Sequence, residues 1–233
     1  MNNFCKSKLV WVHIERTGGG TFNHSVLQKI YKRSEMKLTN KDEFHICNSL
    51  MFGTPVKFFG VNIKSNIKDF ERFKIIGGHM KASKYLFLKR PYITWLRDPV
   101  NRTISNYYAW KKVAKNALKP GTKKPGKTNK EILIMLKDGL GIVEFSKIFG
   151  NYMSYLIDIN LKHFKFIGIM ENYDKELSRF GIKFNVKIPR IIGKFHVINY
   201  PLINKDIRKK IANNMKRDYE LYYKVLKDKG RRW

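Results

Sequence analysis

Three consecutive glycines, Gly18, Gly19 and Gly20, stand between an apolar run at Leu9–Ile14 and a threonine, Thr21, that opens an amphipathic stretch. Glycine lets backbone N–H groups turn toward one point without a Cβ in the way. A helix that follows directs its first, unpaired amides at the same point. The chemistry this suits is the grip of a phosphate or sulfate group. An ordinary glycine-rich turn would use the same residues. The loop matches neither of two familiar nucleotide signatures. No lysine follows the glycines, as Gly-x-x-x-x-Gly-Lys-Ser/Thr requires, and Asn23 stands where Gly-x-Gly-x-x-Gly needs its last glycine.

A second polar group lies in Ile-Thr-Trp-Leu-Arg-Asp-Pro-Val-Asn-Arg-Thr-Ile-Ser-Asn-Tyr-Tyr, residues 93–108. Arg97 ends a β-branched and aromatic run, and Pro99 suits the first turn of a helix. That helix presents Arg102, Ser105 and Tyr108. Open α/β sheets bind ligands at the carboxyl ends of their strands. Ser105, two helical turns on, brings a hydroxyl toward the Arg97 guanidinium, so the two groups suit one phosphate. Taken alone, the segment reads more simply as a helix capped by Asp98 with its arginines in surface ion pairs.

The elements that must position these groups alternate along the chain. Leu9–Ile14, Lys74–Gly78, Tyr92–Leu96 and Phe164–Met170 read as buried strands. Helices are predicted at Thr21–Arg33, from Val100 to about Lys115, at Asn129–Lys137, at Glu144–Ile159 and at Glu171–Phe180, the last ended by Gly181. Ile207, Ile211, Met215 and Tyr219 recur at four-residue steps and Tyr222 and Leu226 continue them, which predicts one long amphipathic helix. Residues 34–73 show no clean period. Strands alternating with helices argue a single α/β domain over residues 1–233, with a central parallel sheet flanked by helices.

Composition narrows the classes. The chain has 233 residues, with 48 Lys and Arg against 18 Asp and Glu, for a net charge of +30. Such a field attracts polyanions, although many of the lysines are scattered as a solvated surface would have them. Residues 111–130 hold eight lysines, two prolines and no acid; their second half, at about 116–130, reads as a basic flexible loop. That loop fits either a solvated segment or one that attracts an anionic glycan. Cys5 and Cys47 have no metal-ligand or redox spacing, so neither a disulfide framework nor a metal site is expected. No apolar run approaches a membrane span, and the first residues lack a signal-peptide core. A cytoplasmic enzyme is the expectation. A nucleic-acid-binding protein is permitted by the charge, but no recognition signature supports it. A P-loop-type phosphotransferase lacks its lysine and a clear Mg²⁺ carboxylate.

The segment His-Ile-Glu-Arg-Thr-Gly-Gly-Gly-Thr-Phe, 13–22, resembles the loop of PAPS-dependent carbohydrate sulfotransferases that reads His-Ile-Pro-Lys-Thr-Gly-Gly-Thr-Thr-Phe. Residues 97–108 resemble that family's Arg-Asp-Pro-x-x-Arg-x-x-Ser-x-Tyr-Tyr, and the two motifs occur in the family's order. Asn151–Leu156, Phe166–Tyr173 and the tail from Asn204 to Leu226 add weaker likeness. The nearest resemblance is to heparan-sulfate 2-O- and uronyl-type sulfotransferases, in which a Gly-His segment between the two motifs carries the base.

The resemblance implies a P-loop-like sulfotransferase fold and sulfuryl transfer from PAPS to a hydroxyl acceptor by in-line displacement, leaving PAP, with no metal. The acceptor is expected to be an anionic or neutral glycan. By the same resemblance Arg16, Thr17, Gly18, Gly19, Gly20, Thr21 and Phe22 grip the 5′-phosphosulfate, and Arg97 and Ser105 hold the 3′-phosphate. His79, in Gly77-Gly78-His79-Met80, matches the base, and a histidine with a pKa near 6.5 suits that task. His13 reads as a structural histidine. The chain departs from the family at Glu15-Arg16, where Pro-Lys is usual. Arg16 keeps the cation but is a planar guanidinium with no accessible proton to give.

Overall fold

The computed structural model describes residues 8–38, 73–117, 134–189 and 200–232. The basic loop at about 116–130, both cysteines and the start of the helix expected at Asn129–Lys137 lie outside these residues in whole or in part. Five strands form one parallel sheet: β1 (Leu9–Val12), β2 (Met36–Leu38), β3 (Ile75–Gly78), β4 (Tyr92–Leu96) and β5 (Phe164–Ile169), in the order β2-β3-β1-β4-β5. Central β1 pairs Leu9 with Ile75 on one side and Val10 with Tyr92 on the other.

Alternation along each strand fixes two cores. Val10 and Val12 pack on one face with Ile76 and Ile167, and Leu9 and Trp11 pack on the other with Ile93, Trp95 and Phe166. Parallel sheets bury both faces, so their strands read as continuous apolar runs rather than as an alternation of apolar and polar. The second face is covered by the helical stretch after the glycine loop and by a helix from Tyr173. In the first, α1 (Gly19–Phe22) runs through a π-helical segment (Asn23–Leu27) into α2 (Gln28–Ile30), and Phe22, Val26 and Leu27 are buried. The long helix α3 (Pro99–Ala117) follows β4.

Three expectations fail for local reasons. The helix predicted at Glu144–Ile159 is two, α4 (Ile142–Phe149) and α5 (Tyr152–Leu156), broken at Gly150 and at Asn151, which takes φ 57°. A Cβ at Gly150 would meet the Asn214 and Ser146 carbonyls at 2.5 Å, so the break is packed against another chain segment. The helix at the end of the sheet, α6 (Tyr173–Phe184), passes through Gly181 and ends at Asn185, φ 52°. Gly181 allows close approach, since a Cβ there would meet Val186 O at 2.8 Å. The long C-terminal helix is also two, α7 (Lys205–Asn213) and α8 (Lys216–Arg232). The junction lets the Asn151 side chain reach across, with its amide donating to Asn214 O at 3.2 Å and its oxygen accepting from Arg217 N at 2.9 Å. Beyond that break the buried stripe runs through Tyr222 and Val225, leaving Leu226 39% exposed.

Candidate functional site

The loop leaving β1 is bent by two left-handed residues, Arg16 at φ 66° and Gly18 at φ 81°. For a residue with a side chain, that conformation costs about 1–2 kcal/mol. Thr17 is buried, and its hydroxyl donates to Ile14 O at 2.7 Å, holding the bend. Phe22 N donates to Gly18 O at 3.0 Å and closes the first helical turn, while its ring is anchored against Trp95 and Phe180. A Cβ at Gly18 would lie 2.6 Å from Met170 Sδ, and one at Gly19 would lie 1.9 Å from His13 Nε2. Gly19 and Gly20 head the helix, with Thr21 buried behind them.

The kink at Arg16 sends its guanidinium across to α3, where Nε donates to Ser105 Oγ at 3.0 Å. Arg97, leaving the end of β4, donates through Nη1 to Arg16 O at 3.2 Å. Two guanidiniums and a hydroxyl from distant parts of the chain therefore meet beside the glycine loop. Burial pulls the Arg16 pKa below the ordinary guanidinium range. Glu15 opposes that shift, and the like charge of Arg97 adds to it. An anion bound between the two guanidiniums would relieve both penalties. Burial pushes the Glu15 carboxyl up to about 7, against the pull of Arg102 and Arg16.

His79 follows β3 directly, at the same edge of the sheet. Its ring lies 4.2 Å from that of His13, which in turn stacks on Trp11 at 4.4 Å. Since His13 Nε2 packs on Gly19, the two imidazoles form a short wall from the end of β3 to the glycine loop. Burial brings the His79 pKa down to about 4, with a hydrogen bond to the His13 backbone opposing the shift. At neutral pH the ring is neutral and can accept a proton, but it is a weaker base than the ordinary imidazole expected from the sequence.

Other residues of the two motifs support the corner from outside it. Asp98 caps α3 by accepting from Asn101 N at 2.8 Å, and Tyr219 donates to its other oxygen at 3.3 Å. Glu171 accepts from Asp98 N at 2.9 Å and from the Tyr222 hydroxyl at 3.0 Å. Arg102 turns away from the site. It is fully buried, donates to Phe149 O at 3.0 Å and lies over the Tyr152 ring.

Tyr173, whose hydroxyl donates to Gly18 O at 3.4 Å, belongs to the loop's packing, and the Glu-Asn-Tyr that ends the β5 segment was its signal. Tyr200, near Arg16 and stacked on Tyr108 at 5.6 Å, had no signal in the sequence. Among the described residues, no group of three or more His, Cys, Asp or Glu side chains could hold a metal ion, and no helix is long and apolar enough to cross a membrane.

Fold and site together define a parallel α/β protein with a glycine loop and two arginines gathered at the carboxyl edge of its sheet. The sequence matches no protein-family profile and no curated protein sequence. Among solved structures the chain is similar to the crystal structure of mouse sulfotransferase SULT7A1 complexed with PAP, with a TM-score of 0.40 and 12% identity. The likeness covers 89% of this chain and 62% of that one, so the chain spans less than two thirds of its length. A likeness of that strength assigns neither substrate nor reaction.

Proposed function

We propose that this protein is a sulfotransferase that takes PAPS as donor and passes its sulfuryl group to a hydroxyl acceptor, a glycan. The observation that carries the reading is the meeting of Arg16, Arg97 and Ser105 beside the glycine loop. These residues come from the two segments that resemble the donor-binding motifs of carbohydrate sulfotransferases. Two cations held together at a strand end, next to helix-heading amides, form a site for an anion with more than one phosphate or sulfate group.

In this reading the amides of Gly18–Thr21 bind the nonbridging oxygens of the 5′-phosphosulfate, while Arg97 and Ser105 hold the 3′-phosphate. Arg16 neutralises charge growing on the leaving phosphate oxygen but transfers no proton, because a guanidinium keeps its own. The acceptor oxygen attacks sulfur in line with the departing phosphate oxygen. As the new S–O bond forms and the old one breaks, the acceptor proton passes to His79. Positioning and charge stabilisation supply most of the acceleration in such transfers.

The test is thermal stability with PAP, 5′-ADP and ATP at matched ionic strength, on wild type and Arg97→Ala. A ligand at 100 times its Kd stabilises by about 2.7 kcal/mol. PAP alone is expected to raise the midpoint, and Arg97→Ala to abolish that rise. A shift by ATP equal to or larger than that by PAP overturns the assignment in favour of a nucleotide phosphotransferase.

A further inference from the structure

Read from the sequence, His13 is a structural histidine; in the fold its ring reaches the glycine loop. It follows β1 directly, and its N–H donates to Gly78 O at 2.9 Å, which ties the end of β1 to the residue before His79. Side chains two apart on a strand share a face. The His13 ring accordingly stacks on Trp11, with centres 4.4 Å apart and planes 20° apart. The His79 ring lies 4.2 Å away at 30°. Trp11 is buried and abuts Phe22, so the imidazole leans on the core while itself staying half-buried.

The edge of this ring meets Gly19. A Cβ there would lie 1.9 Å from Nε2 and 2.2 Å from Cδ2, so a nitrogen-bearing edge occupies the place of the missing side chain. On a helix the Cα–Cβ bond tilts toward the N-terminus. Nε2 therefore lies on the side of Gly19 where α1 begins. One imidazole thus touches both the glycine loop and His79.

We propose that His13 is a further residue of the transfer, with its Nε2–H donating to a nonbridging oxygen of the sulfuryl group seated against Gly19. This rests on the reading that the glycine loop holds the sulfate end of PAPS. His79 takes the proton of the acceptor, and its ring neighbours that of His13, so the group in transit passes His13. The S–O bond to the leaving phosphate breaks and the bond to the acceptor forms, while His13 neither gains nor loses a proton. A donor fixed in advance by stacking stabilises charge on the group without reorganising. Packing alone would be served as well by a phenylalanine, which presents only carbon to Gly19.

Two substitutions separate a donor from a packing ring. His13→Phe keeps the stack and removes the nitrogen, whereas His13→Gln keeps a side-chain N–H and removes the ring. Binding of PAP and of PAPS to the full chain is measured by calorimetry without acceptor, with melting midpoints taken alongside. His13→Phe is expected to bind PAPS about tenfold more weakly, the size of a hydrogen bond to a charged group, and PAP within about twofold of wild type. His13→Gln is expected to hold PAPS within about threefold of wild type even where its midpoint falls. The reverse pattern, with His13→Phe like wild type and His13→Gln weakened for both ligands, overturns the role and leaves a packing ring. Equal losses of PAP and PAPS binding in His13→Phe overturn the assignment to the sulfuryl group. A wild type that binds neither ligand overturns the donor reading and this inference with it, an outcome told apart because it needs no substitution.

Discussion

Arg97 and Arg102 sit five residues apart in one motif and end in opposite surroundings. Arg97 meets a second cation, Arg16, at the open edge of the sheet. Arg102 is sealed where α3, α4, α5 and α8 join, over Tyr152 and with the Asp218 charge supporting its own. Asp218, also fully buried, accepts from Met153 N at 3.1 Å and Ser154 N at 2.7 Å and so caps α5. In the joint, opposite charges and carbonyls compensate one another inside the fold. At the sheet edge, like charges are brought together and a strained Arg16 is kept. The first arrangement is architecture, and the second fits the anion site proposed above.

That contrast is broken most strongly from the joint. Asp218→Ala leaves the Met153 and Ser154 amides of α5 without their buried acceptor and removes a charge that favours the Arg102 guanidinium, and is expected to cost about 3 kcal/mol, read by denaturant unfolding. At the sheet edge, Arg97→Ala is expected to leave the ligand-free midpoint within about 1 kcal/mol, while removing the PAP-dependent gain of about 2.7 kcal/mol at 100 times Kd.

Titration separates two half-buried ionisable groups beside the loop. Glu15 is raised from 4.5 to about 7, so its contribution to stability is full below pH 4.5 and is lost as pH rises to 7. His79 is lowered from 6.5 to about 4, so its contribution is full above pH 6.5 and is lost as pH falls to 4. The two slopes oppose each other, and wild type is expected to change little between pH 4.5 and 6.5. In Glu15→Gln stability should rise with pH across that window, and in His79→Asn it should fall, both read from midpoints across a pH series. The smallest effect is expected at the surface, where Leu226→Ser should stay within about 0.5 kcal/mol. Val225→Ala, next to it but fully buried, should cost about 2 kcal/mol.

Four of the five described strands were legible because both faces of a parallel sheet are buried, which leaves runs such as Tyr92–Leu96 apolar from end to end; β2 (Met36–Leu38), three residues long at the sheet edge with a lysine at its centre, was not. The glycine loop and the Arg97–Ser105 helix were legible because short local chemistry writes them. The helix breaks at Gly150 and Asn214 were not, because each exists to accommodate the other across the fold. Gly181 misled for the same reason: its missing side chain serves a neighbour, Val186, rather than a helix end. The Arg16–Ser105 bond was hidden in the left-handed turn at Arg16, a conformation that a side-chain-bearing residue does not announce. Tyr200 entered the neighbourhood of Arg16 through tertiary packing alone.

The central position of β1 has a consequence for the order of synthesis. Its partners begin at Ile75 and Tyr92, so the first strand made has neither neighbour until the chain has grown well past both. Until then the glycine loop lacks the frame that bends it, and Arg97 has not yet been added to reach back to the Arg16 carbonyl. Such long-range parallel pairing closes late. Nascent chains halted before β4 should therefore leave Arg16 open to trypsin, and chains released after α3 and β5 have formed should protect it.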